Sequence, residues 1–523
     1  MSVDTPSSSG TPKTDTERLN ELGYAQELSR GMGTFSNFAI SFSIISILAG
    51  AITTFYLGMQ AGGPLAITFS WIIVGVFATI IAASMGEICS TYPTAGGLYY
   101  WSAKLAKTNA PAWSWFTGWI NLIGQVAITA SIDYALATFI GFFITLYDAD
   151  FTLTAQKIFV IYLGVLILHG VLNTFGVRLV ALLSDISVWW HVFGAAIIFL
   201  FLIIVPGEHQ SASFLFESKN LTGWAFPGVG LYVFGIGMLL AQYTITGFDA
   251  SAHVSEETRD ATTGPPVAMI RAVYVSAIAA LFLSVAMLLA IPDGTYDDIA
   301  FLGLTAGPQI FVEAIGGAGA KLLVFIAIVG QIFCGMASVT ANSRMIYAFS
   351  RDGAVPGHKH WHKINPKTRT PTNSVWLAVV LAALLGVSSL IQNEGYSVAF
   401  FAIVGMGTVG LYVSYAIPIW LRLHNDDFEQ GDWNLGRRSK VAGWISVVWI
   451  AIMSVLFFCP VYYPWNTLNT FNWSGPVTLG LIALVAIWWV VSAKNWFDGP
   501  KVQGTPEELK AIEADLEAAA GGM

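Results

Sequence analysis

Residues 242–250 read QYTITGFDA in the middle of a long apolar stretch. Three consecutive β-branched residues, a glycine and an aspartate are poor material for the interior of a helix. A carboxylate at that depth would also be costly if it faced lipid. Because an apolar stretch of this length is typical of a membrane-spanning helix, the sequence predicts a spanning helix that is interrupted halfway across the bilayer.

A second interruption is predicted in the first apolar stretch, where residues 46–54 read SILAGAITT. Three small residues, Ala49, Gly50 and Ala51, are followed closely by two threonines at mid-membrane depth. Small residues permit either close packing between helices or local unwinding. Both interpretations stay open for this stretch.

The composition excludes a soluble globular protein. Hydrophobic residues make up 55% of the 523 and charged residues 11%, with a mean hydropathy of +0.65, whereas soluble domains carry about 25% charged residues. The formal net charge of -8 comes from loops and the C-terminal tail, and nothing in it suggests a nucleic-acid partner. Cys89, Cys334 and Cys459 stand apart without the spacing of metal ligands, so no metal and no cofactor is predicted.

About twelve apolar segments are long enough to span a bilayer as helices, the form in which lipid-exposed backbone groups satisfy one another. We number them segments 1 to 12, and they lie near residues 34–58, 65–86, 114–146, 157–175, 180–205, 229–252, 266–291, 319–348, 373–391, 396–421, 442–460 and 475–493. The stretch 299–315 predicts a short surface helix. The predicted fold class is therefore an all-α polytopic membrane protein with about 12 transmembrane helices.

The chain divides into five parts on this basis. A disordered tail is predicted for residues 1–30, segments 1–5 for 31–206, segments 6–10 for 207–422, segments 11 and 12 for 423–494, and a C-terminal tail for 495–523.

The distribution of basic residues predicts the orientation. All but three of the 24 Lys and Arg residues fall on the side of the two termini, the exceptions being Lys157, Lys219 and Lys321. Positively charged loops cross the membrane poorly during insertion. Both termini are therefore predicted to be cytoplasmic, in a multi-pass protein of the plasma (cell or inner) membrane.

The two interruptions fall in segments 1 and 6, which occupy equivalent places in two groups of five segments. Paired interruptions of this kind indicate a secondary transporter built from inverted repeats, with a binding site near the bilayer midplane. Amides at helix N-termini favour a carboxylate, and carbonyls at helix C-termini favour an amine. The pattern therefore predicts a small amine-bearing or zwitterionic solute.

Four further strings carry a family resemblance. They are EICSTYPTAGGLYY at 87–100, GFDA at 247–250 with the following EET at 256–258 and PP at 265–266, SRMIYAFSRDGAVP at 343–356, and NTFGVR at 173–178. Together they resemble the amino acid-polyamine-organocation (APC) superfamily of permeases, most closely its amino acid, choline and γ-aminobutyrate (GABA) transporter branch, over about residues 20–460. The resemblance implies secondary active transport and the leucine-transporter-like fold of 5+5 inverted repeats with discontinuous helices 1 and 6.

The resemblance also implies roles for residues at the two interruptions. Backbone amides around Ala49, Gly50 and Ala51 are expected to bind the carboxyl group of the substrate, and carbonyls near Tyr243, Thr244 and Ile245 its amine. Tyr243 stands where relatives place an aromatic gate, with a purely packing ring as the alternative. Gln125 aligns with a polar binding residue, and Gly247 and Phe248 complete the predicted substrate-binding set.

A cytoplasmic gate is implied in the same way. Six charged residues are expected to form the network that closes it: Glu87, Glu256, Glu257, Arg344, Arg351 and Asp352. The alternative is ordinary loop charge at the membrane interface, since surface ion pairs are commonplace.

His191 in segment 5 is the predicted proton-coupling residue. It aligns with a lysine that couples proton movement to gating in cationic amino acid permeases, and imidazole changes its charge near physiological pH. A neutral histidine bonded to a backbone carbonyl is the alternative. Sodium coupling through Ser338, Thr340 and Ser343 also stays open.

The predicted function is import of an amino acid, or a related amine such as GABA, by proton symport. Alternatives are choline or polyamine transport, a sodium-coupled symporter or an exchanger, and a membrane sensor that binds solute without moving it. An enzyme is not predicted, because the chain has no zinc-protease, nucleophile-elbow or phosphate-loop motif. The histidines at 358, 360 and 362 are interpreted as a solvated loop.

Overall fold

The computed structural model describes residues 14–391 and 398–521, and within these residues the regular secondary structure is helical throughout. Among the described residues, eleven helices are long and apolar enough to span a membrane. They form segments 1–5 and 7–12: Thr34–Ala51, Gly63–Thr91, Ala110–Thr145, Ala155–Thr174, Val177–Ile204, Gly264–Leu289, Gly317–Arg351, Thr372–Leu390, Ala399–Leu423, Gly436–Phe458 and Ser474–Asn495. The shorter apolar helix Val229–Thr244 is segment 6, so the predicted fold class is confirmed.

Shorter helices connect the segments. They are Asp15–Glu21, Leu98–Leu105, Ala250–His253, Tyr296–Ala300, Ala306–Ile315, His358–Trp361 and Pro506–Gly521. Short 3-10 helices comprise Ala212–Phe216, Ser255–Glu257, Gly303–Thr305, Val387–Leu390, Gly436–Arg438 and Ala493–Asn495. Ala306–Ile315 falls in the stretch predicted as a short surface helix.

An inner group of segments is surrounded by an outer one. In segments 1 and 3, 78% of the most apolar stretch is buried, against 17% in segment 12. Exposed apolar side chains cover the outer segments, for example Leu182, Trp189 and Ile204 of segment 5. Because outer segments shield the inner ones from lipid, the inner segments can carry the buried polar side chains that form a site.

Segments 1 and 6 are both broken, as predicted. In segment 1 the helix Thr34–Ile45 ends at Ser46, whose φ of 27° leaves the helical region. A single π-helical turn, Ile47–Ala51, follows, and the helix resumes at Phe55–Gln60.

In segment 6 the helix ends at Thr244 and resumes at Ala250. Gly247 lies between them with a φ of +85°, a conformation that costs other residues about 1–2 kcal/mol. The two breaks pack against each other so closely that a Cβ on Gly50 would lie 2.7 Å from Thr244 Oγ1. A Cβ on Gly247 would lie 2.4 Å from Ile44 Cγ2.

Both chain ends lie on one face of the molecule, which we call the terminal face. The Gly23 carbonyl accepts a hydrogen bond from the Gln503 amide at 2.9 Å. The Gln26 amide donates to Glu513 Oε1 at 2.8 Å. The two tails therefore hold each other beneath the spanning segments.

The predicted disordered tail needs correction over the part that the structure describes. Residues 1–13 lie outside the described residues, but Asp15–Glu21 is a helix with a capping box at Thr14. Leu19, Tyr24 and Leu28 are fully buried. These three apolar side chains, spaced along a polar sequence, find their partners only in the folded molecule, so local composition did not reveal them.

Candidate functional site

A small cavity lies at the breaks of segments 1 and 6. It measures about 10 Å³, the space that one water molecule needs. Its lining comes from segments 1, 3, 6 and 8 and consists of Ile44, Ile45, Ala49, Gly50, Thr53, Ile128, Ile132, Ala135, Tyr243, Thr244, Thr246, Gln331 and Cys334. Four predicted substrate-binding residues, Ala49, Gly50, Tyr243 and Thr244, are among them, and the protein is closed around this point.

The amides of the segment 1 break point into its own turn. The Ser46 carbonyl accepts hydrogen bonds from the amides of Ala49 at 3.0 Å and Gly50 at 2.9 Å. Ser46 Oγ accepts a further bond from the Ala49 amide at 3.2 Å. A carboxyl group can therefore bind these amides only by replacing the Ser46 carbonyl.

The carbonyls of the segment 6 break also have partners. The Tyr412 hydroxyl of segment 10 donates to the Ile245 carbonyl. The ring of Tyr243 lines the cavity, and its hydroxyl lies 3.0 Å from Ser131 Oγ of segment 3. An amine can therefore bind Ile245 in place of Tyr412 or through the second lone pair of the carbonyl oxygen, and nothing in the local sequence marks Tyr412.

Asp249 forms a second polar centre behind the cavity. Its buried carboxylate accepts hydrogen bonds from Tyr415 Oη at 2.7 Å, Gln125 Nε2 at 2.9 Å and Asn121 Nδ2 at 3.2 Å. His253 Nε2 lies 3.3 Å away. Gln125 thus bonds to Asp249 and is not part of the cavity lining.

The remaining predicted residues of segment 6 lie beside this centre. Phe248 packs against Tyr415 with ring centroids 5.0 Å apart. The amide of Gly247 donates to the Tyr415 hydroxyl at 3.3 Å. From the sequence, Asp249 is predicted only as a helix breaker, and no role is predicted for Tyr415. The four-residue spacing of Asp249 and His253 is nevertheless a visible signal of a helical pair.

His191 lies beside the segment 1 break. Its Nε2 is 2.7 Å from Ser46 Oγ, and its Nδ1 is 2.8 Å from the Ser187 carbonyl oxygen. The first contact joins the ring to the residue that ends the helix, and the second is the backbone bond that defines the alternative interpretation. His191 therefore makes both the contact to the break and the backbone hydrogen bond of the alternative interpretation.

The segment 8 hydroxyls considered for sodium each bond to a protein group. Ser338 Oγ lies 2.9 Å from Thr129 Oγ1, and Thr340 Oγ1 donates to Asn173 Oδ1 at 2.6 Å. Ser343 Oγ donates to the Thr340 carbonyl at 2.8 Å. In the ranges 14–391 and 398–521, no three His, Cys, Asp or Glu side chains come together as a metal site.

Two buried ion pairs close the terminal face. Arg344 Nε lies 2.8 Å from Glu257 Oε1, and Arg351 Nη2 lies 2.9 Å from Glu256 Oε1. Glu256 Oε1 also accepts a hydrogen bond from the Ala95 amide at 2.9 Å. Segment 8, the end of segment 6 and the turn at residues 92–97 are thus tied together, and we call this arrangement the gate.

Glu87 lies apart from these ion pairs. It accepts hydrogen bonds from the Ser439 hydroxyl and, at 3.3 Å, from the Leu435 amide, and it lies 3.6 Å from Arg422 Nε. It therefore attaches segment 2 to the chain around the start of segment 11.

Asp352 also bonds to neutral donors. It accepts from the hydroxyls of Tyr24 at 3.0 Å and Tyr99 at 2.7 Å, and from the Lys501 amide at 3.1 Å. Burial raises the pKa of this carboxyl group above its ordinary value, although Arg351 and the three donors act in the opposite direction. Asp352 therefore joins both tails to the terminal face.

The face away from the termini contains a wider cavity, which we call the vestibule. Its volume is about 220 Å³, and its lining includes Tyr56, Tyr134, Phe301, Phe400 and Tyr462. The terminal face thus holds the buried ion pairs, whereas the wider cavity lies on the opposite face.

Comparison with known proteins relates this geometry to a family. The family model described as "Amino acid permease" matches residues 32–492. Amino-acid permease BAT1 of Arabidopsis thaliana is 40% identical, covering 92% of this chain and 95% of that protein. The corresponding homolog of Oryza sativa is 39% identical with the same coverage, and a putative polyamine transporter of Candida albicans is 28% identical over 95% of this chain and 90% of that protein.

Proposed function

The chain belongs to the amino acid permease family, and we propose that it imports an amino acid, or a related amine such as GABA, by proton symport. The family is one of transporters and not of enzymes, as the sequence predicted. Family membership alone does not give the substrate class, the coupling ion, the binding residues or the direction of transport.

The observation that carries the proposal is the polarity of the two breaks. At segment 1 an acceptor, the Ser46 carbonyl oxygen, occupies the amides of Ala49 and Gly50. At segment 6 a donor, the Tyr412 hydroxyl, occupies the Ile245 carbonyl. A carboxylate supplies an acceptor and an ammonium group supplies a donor, so a zwitterion matches both positions when it replaces these internal partners.

The cavity lining favours an amino acid over a polyamine. Ile128, Ile132 and Ala135 give it an apolar wall, and no carboxylate stands among its described lining residues. A polycation would leave buried positive charge without a partner, which is costly. One relative is named a putative polyamine transporter, so spermidine belongs in the test.

Uptake into proteoliposomes tests the substrate class. A radiolabelled neutral amino acid is offered with an imposed inward proton gradient, and unlabelled amino acids, GABA, choline and spermidine compete. We expect competition by amino acids or GABA and none by spermidine. Binding without accumulation or exchange would instead favour the sensor, and accumulation driven only by a sodium gradient would replace the proton.

His191 is the proposed proton-coupling residue. Its Nε2 contacts a hydroxyl, which donates to a neutral ring and accepts from a protonated one. Both protonation states therefore keep a hydrogen bond to Ser46 at the break. We expect His191→Asn to lose accumulation driven by the pH gradient while exchange of substrate continues, and undiminished accumulation would remove this role.

The terminal face is proposed to be cytoplasmic, in the plasma membrane. The support is the excess of Lys and Arg on that side, with only Lys157, Lys219 and Lys321 on the other. An impermeant biotin reagent on intact cells should label a cysteine introduced at Asp150, an exposed residue after segment 3, and should not label one introduced at Lys359. The reverse labelling would invert the orientation.

A further inference from the structure

A buried histidine lies one helical turn beyond the break in segment 6. His253 and Asp249 are both fully buried, and His253 Nε2 lies 3.3 Å from Asp249 Oδ2. The other ring nitrogen, Nδ1, lies 2.9 Å from the carbonyl oxygen of Ala95. Each ring nitrogen therefore faces an acceptor oxygen.

These two contacts require an extra proton. A neutral imidazole has one N–H and one lone pair. If Nδ1 donates to Ala95, an unprotonated Nε2 leaves its lone pair 3.3 Å from a carboxylate oxygen of Asp249. Nε2 forms no aligned hydrogen bond within the described part of the chain, and two buried acceptor atoms this close without water between them are costly.

The surroundings of Asp249 place the proton on the ring. Three donors, Tyr415, Gln125 and Asn121, already serve its two oxygens. Hydrogen bonds to a carboxylate favour its charged form. We propose that His253 is an imidazolium ion paired with the Asp249 carboxylate, and that this proton keeps the gate closed.

The ionisable groups on the elements packed around the pair are uncharged, exposed or paired within the described ranges. On the turn and helix at residues 92–105, which pack against the His253 ring, they are Tyr92, Tyr99, Tyr100 and the exposed Lys104. Segment 1 has no ionisable residue from Thr34 to Ile45, and Arg271 and Tyr274 of segment 7 are exposed. The charged side chains of segment 8 nearby, Arg344 and Arg351, are paired with Glu257 and Glu256. Segments 3 and 10 contribute the neutral groups Asn121, Gln125, Tyr412 and Tyr415.

Ala95 connects the imidazolium to the gate. Its carbonyl accepts from His253, while its amide donates to Glu256, which is paired with Arg351. The turn at residues 92–97 is therefore held through both backbone groups of one residue, Ala95, by two residues that follow the break in segment 6. Loss of the proton turns the attraction between His253 and Asp249 into repulsion, which moves the ring and releases the Ala95 carbonyl.

The proton therefore couples the segment 6 break to the terminal face. Its release on that side accompanies opening of the gate. This coupling rests on the proposed proton symport, whereas the protonated ring does not. The two parts can be tested separately.

Nitrogen NMR of the purified protein, labelled with 15N-histidine, tests the ring directly. The His253 signals are assigned by their disappearance in His253→Gln. Slightly above neutral pH, where an unperturbed histidine is mostly neutral, we expect both ring nitrogens of His253 to be protonated. One protonated and one unprotonated nitrogen would overturn the proposal, whatever the transport activity.

Transport by Asp249→Asn tests the coupling. With the side-chain amides of Gln125 and Asn121 turned so that their oxygens face it, an asparagine NH2 at the position of Oδ2 can donate to a neutral His253 Nε2, so the pair stays together without a proton. We expect this variant to lose accumulation driven by a pH gradient and to keep substrate exchange. Accumulation equal to that of the unmodified protein would overturn the coupling.

The chain offers a matched control in segments 3 and 4. Asp133 and His169 form another fully buried pair, with Oδ1 and Nδ1 3.1 Å apart. Asp133→Asn alters the same chemistry away from the 92–97 turn, and we expect it to keep accumulation driven by the pH gradient. If Asp133→Asn lost this accumulation while Asp249→Asn kept it, the coupling proton would belong to the other pair. If the unmodified protein showed no proton-driven uptake, the proposed function would fail while the NMR result still decided the state of His253.

Discussion

The break in segment 1 is held by a hydroxyl, an imidazole and backbone groups, whereas the break in segment 6 is organised around a buried carboxylate. Ser46 ends the first helix and contacts His191 through a group that both donates and accepts. Asp249 follows the second break and collects three donors and a histidine. A histidine beside a hydroxyl can gain or lose a proton and keep its hydrogen bond. A histidine between two acceptor oxygens is best accommodated with a second ring proton.

The difference teaches that the two breaks play unequal parts. In segment 1 the local contacts tolerate change, because the Ser46 hydroxyl can either donate to His191 or accept from it. In segment 6 the contacts depend on one another, because removal of one donor leaves a buried charge less well solvated. We therefore expect equivalent substitutions to cost more at segment 6.

The largest effect is expected from Gly247→Ala. The new Cβ costs about 1–2 kcal/mol for the positive φ, and overpacking against Ile44 adds about 1–3 kcal/mol. Gly50→Ala lacks the first cost because Gly50 has no positive φ, so its cost comes only from crowding against Thr244, including the Cα of that residue at 3.0 Å. Thermal unfolding of the purified variants, together with uptake assays, measures the loss. We expect the lower unfolding midpoint for Gly247→Ala, and a lower midpoint for Gly50→Ala would contradict the unequal roles of the two breaks.

The next largest effect is expected from Tyr415→Phe. It removes the donor to Asp249 Oδ1 and the acceptor for the Gly247 amide. An orphaned buried group costs about 1–3 kcal/mol. The unfolding midpoint should fall clearly, and a midpoint unchanged from the unmodified protein would show that Asp249 does not organise this break.

A smaller effect is expected from Ser46→Ala. It removes the bond to His191 and the side-chain cap on the Ala49 amide, and loss of a helix cap typically costs about 1 kcal/mol. Uptake should keep its substrate preference but lose part of its pH dependence. A loss of stability greater than that of Tyr415→Phe would reverse the ranking of the two breaks.

The smallest effect sets the baseline for the series. Lys440 and Asp426 form an ion pair at 3.0 Å with side chains that are 65% and 75% exposed. Such pairs contribute about 0–1 kcal/mol, so Lys440→Ala should leave the unfolding midpoint within error. A larger shift would mean that the assay does not isolate the breaks.

The sequence predicted the architecture because membrane burial imposes a strong pattern. Apolar length marked the segments, and Gly247 with Asp249 marked the second break through residues that helices in lipid rarely tolerate. The first break was ambiguous, because Ala49, Gly50 and Ala51 also suit close packing. The feature that establishes this break is the backbone conformation of Ser46, which the amino-acid composition does not reveal.

The two tyrosines of segment 10 that support the second break could not be predicted in the same way. Tyr412 and Tyr415 lie more than 160 positions after the break that they stabilise, and in a chain with 14% aromatic residues nothing in their local sequence marks them. The gate residues were predicted as one network from their family motif. Their geometry divides Glu87 and Asp352 from the ion pairs because each bonds to a different part of the terminal face.

The joined tails also impose an order on biosynthesis. Translation releases the N-terminal part of a chain first, but Asp352 gains its bond from Lys501, and Gln26 its bond from Glu513, only after the last segment has left the ribosome. All spanning segments are therefore made before the terminal face can be sealed. A nascent chain made only as far as residue 500 holds all of these segments and still lacks both hydrogen bonds.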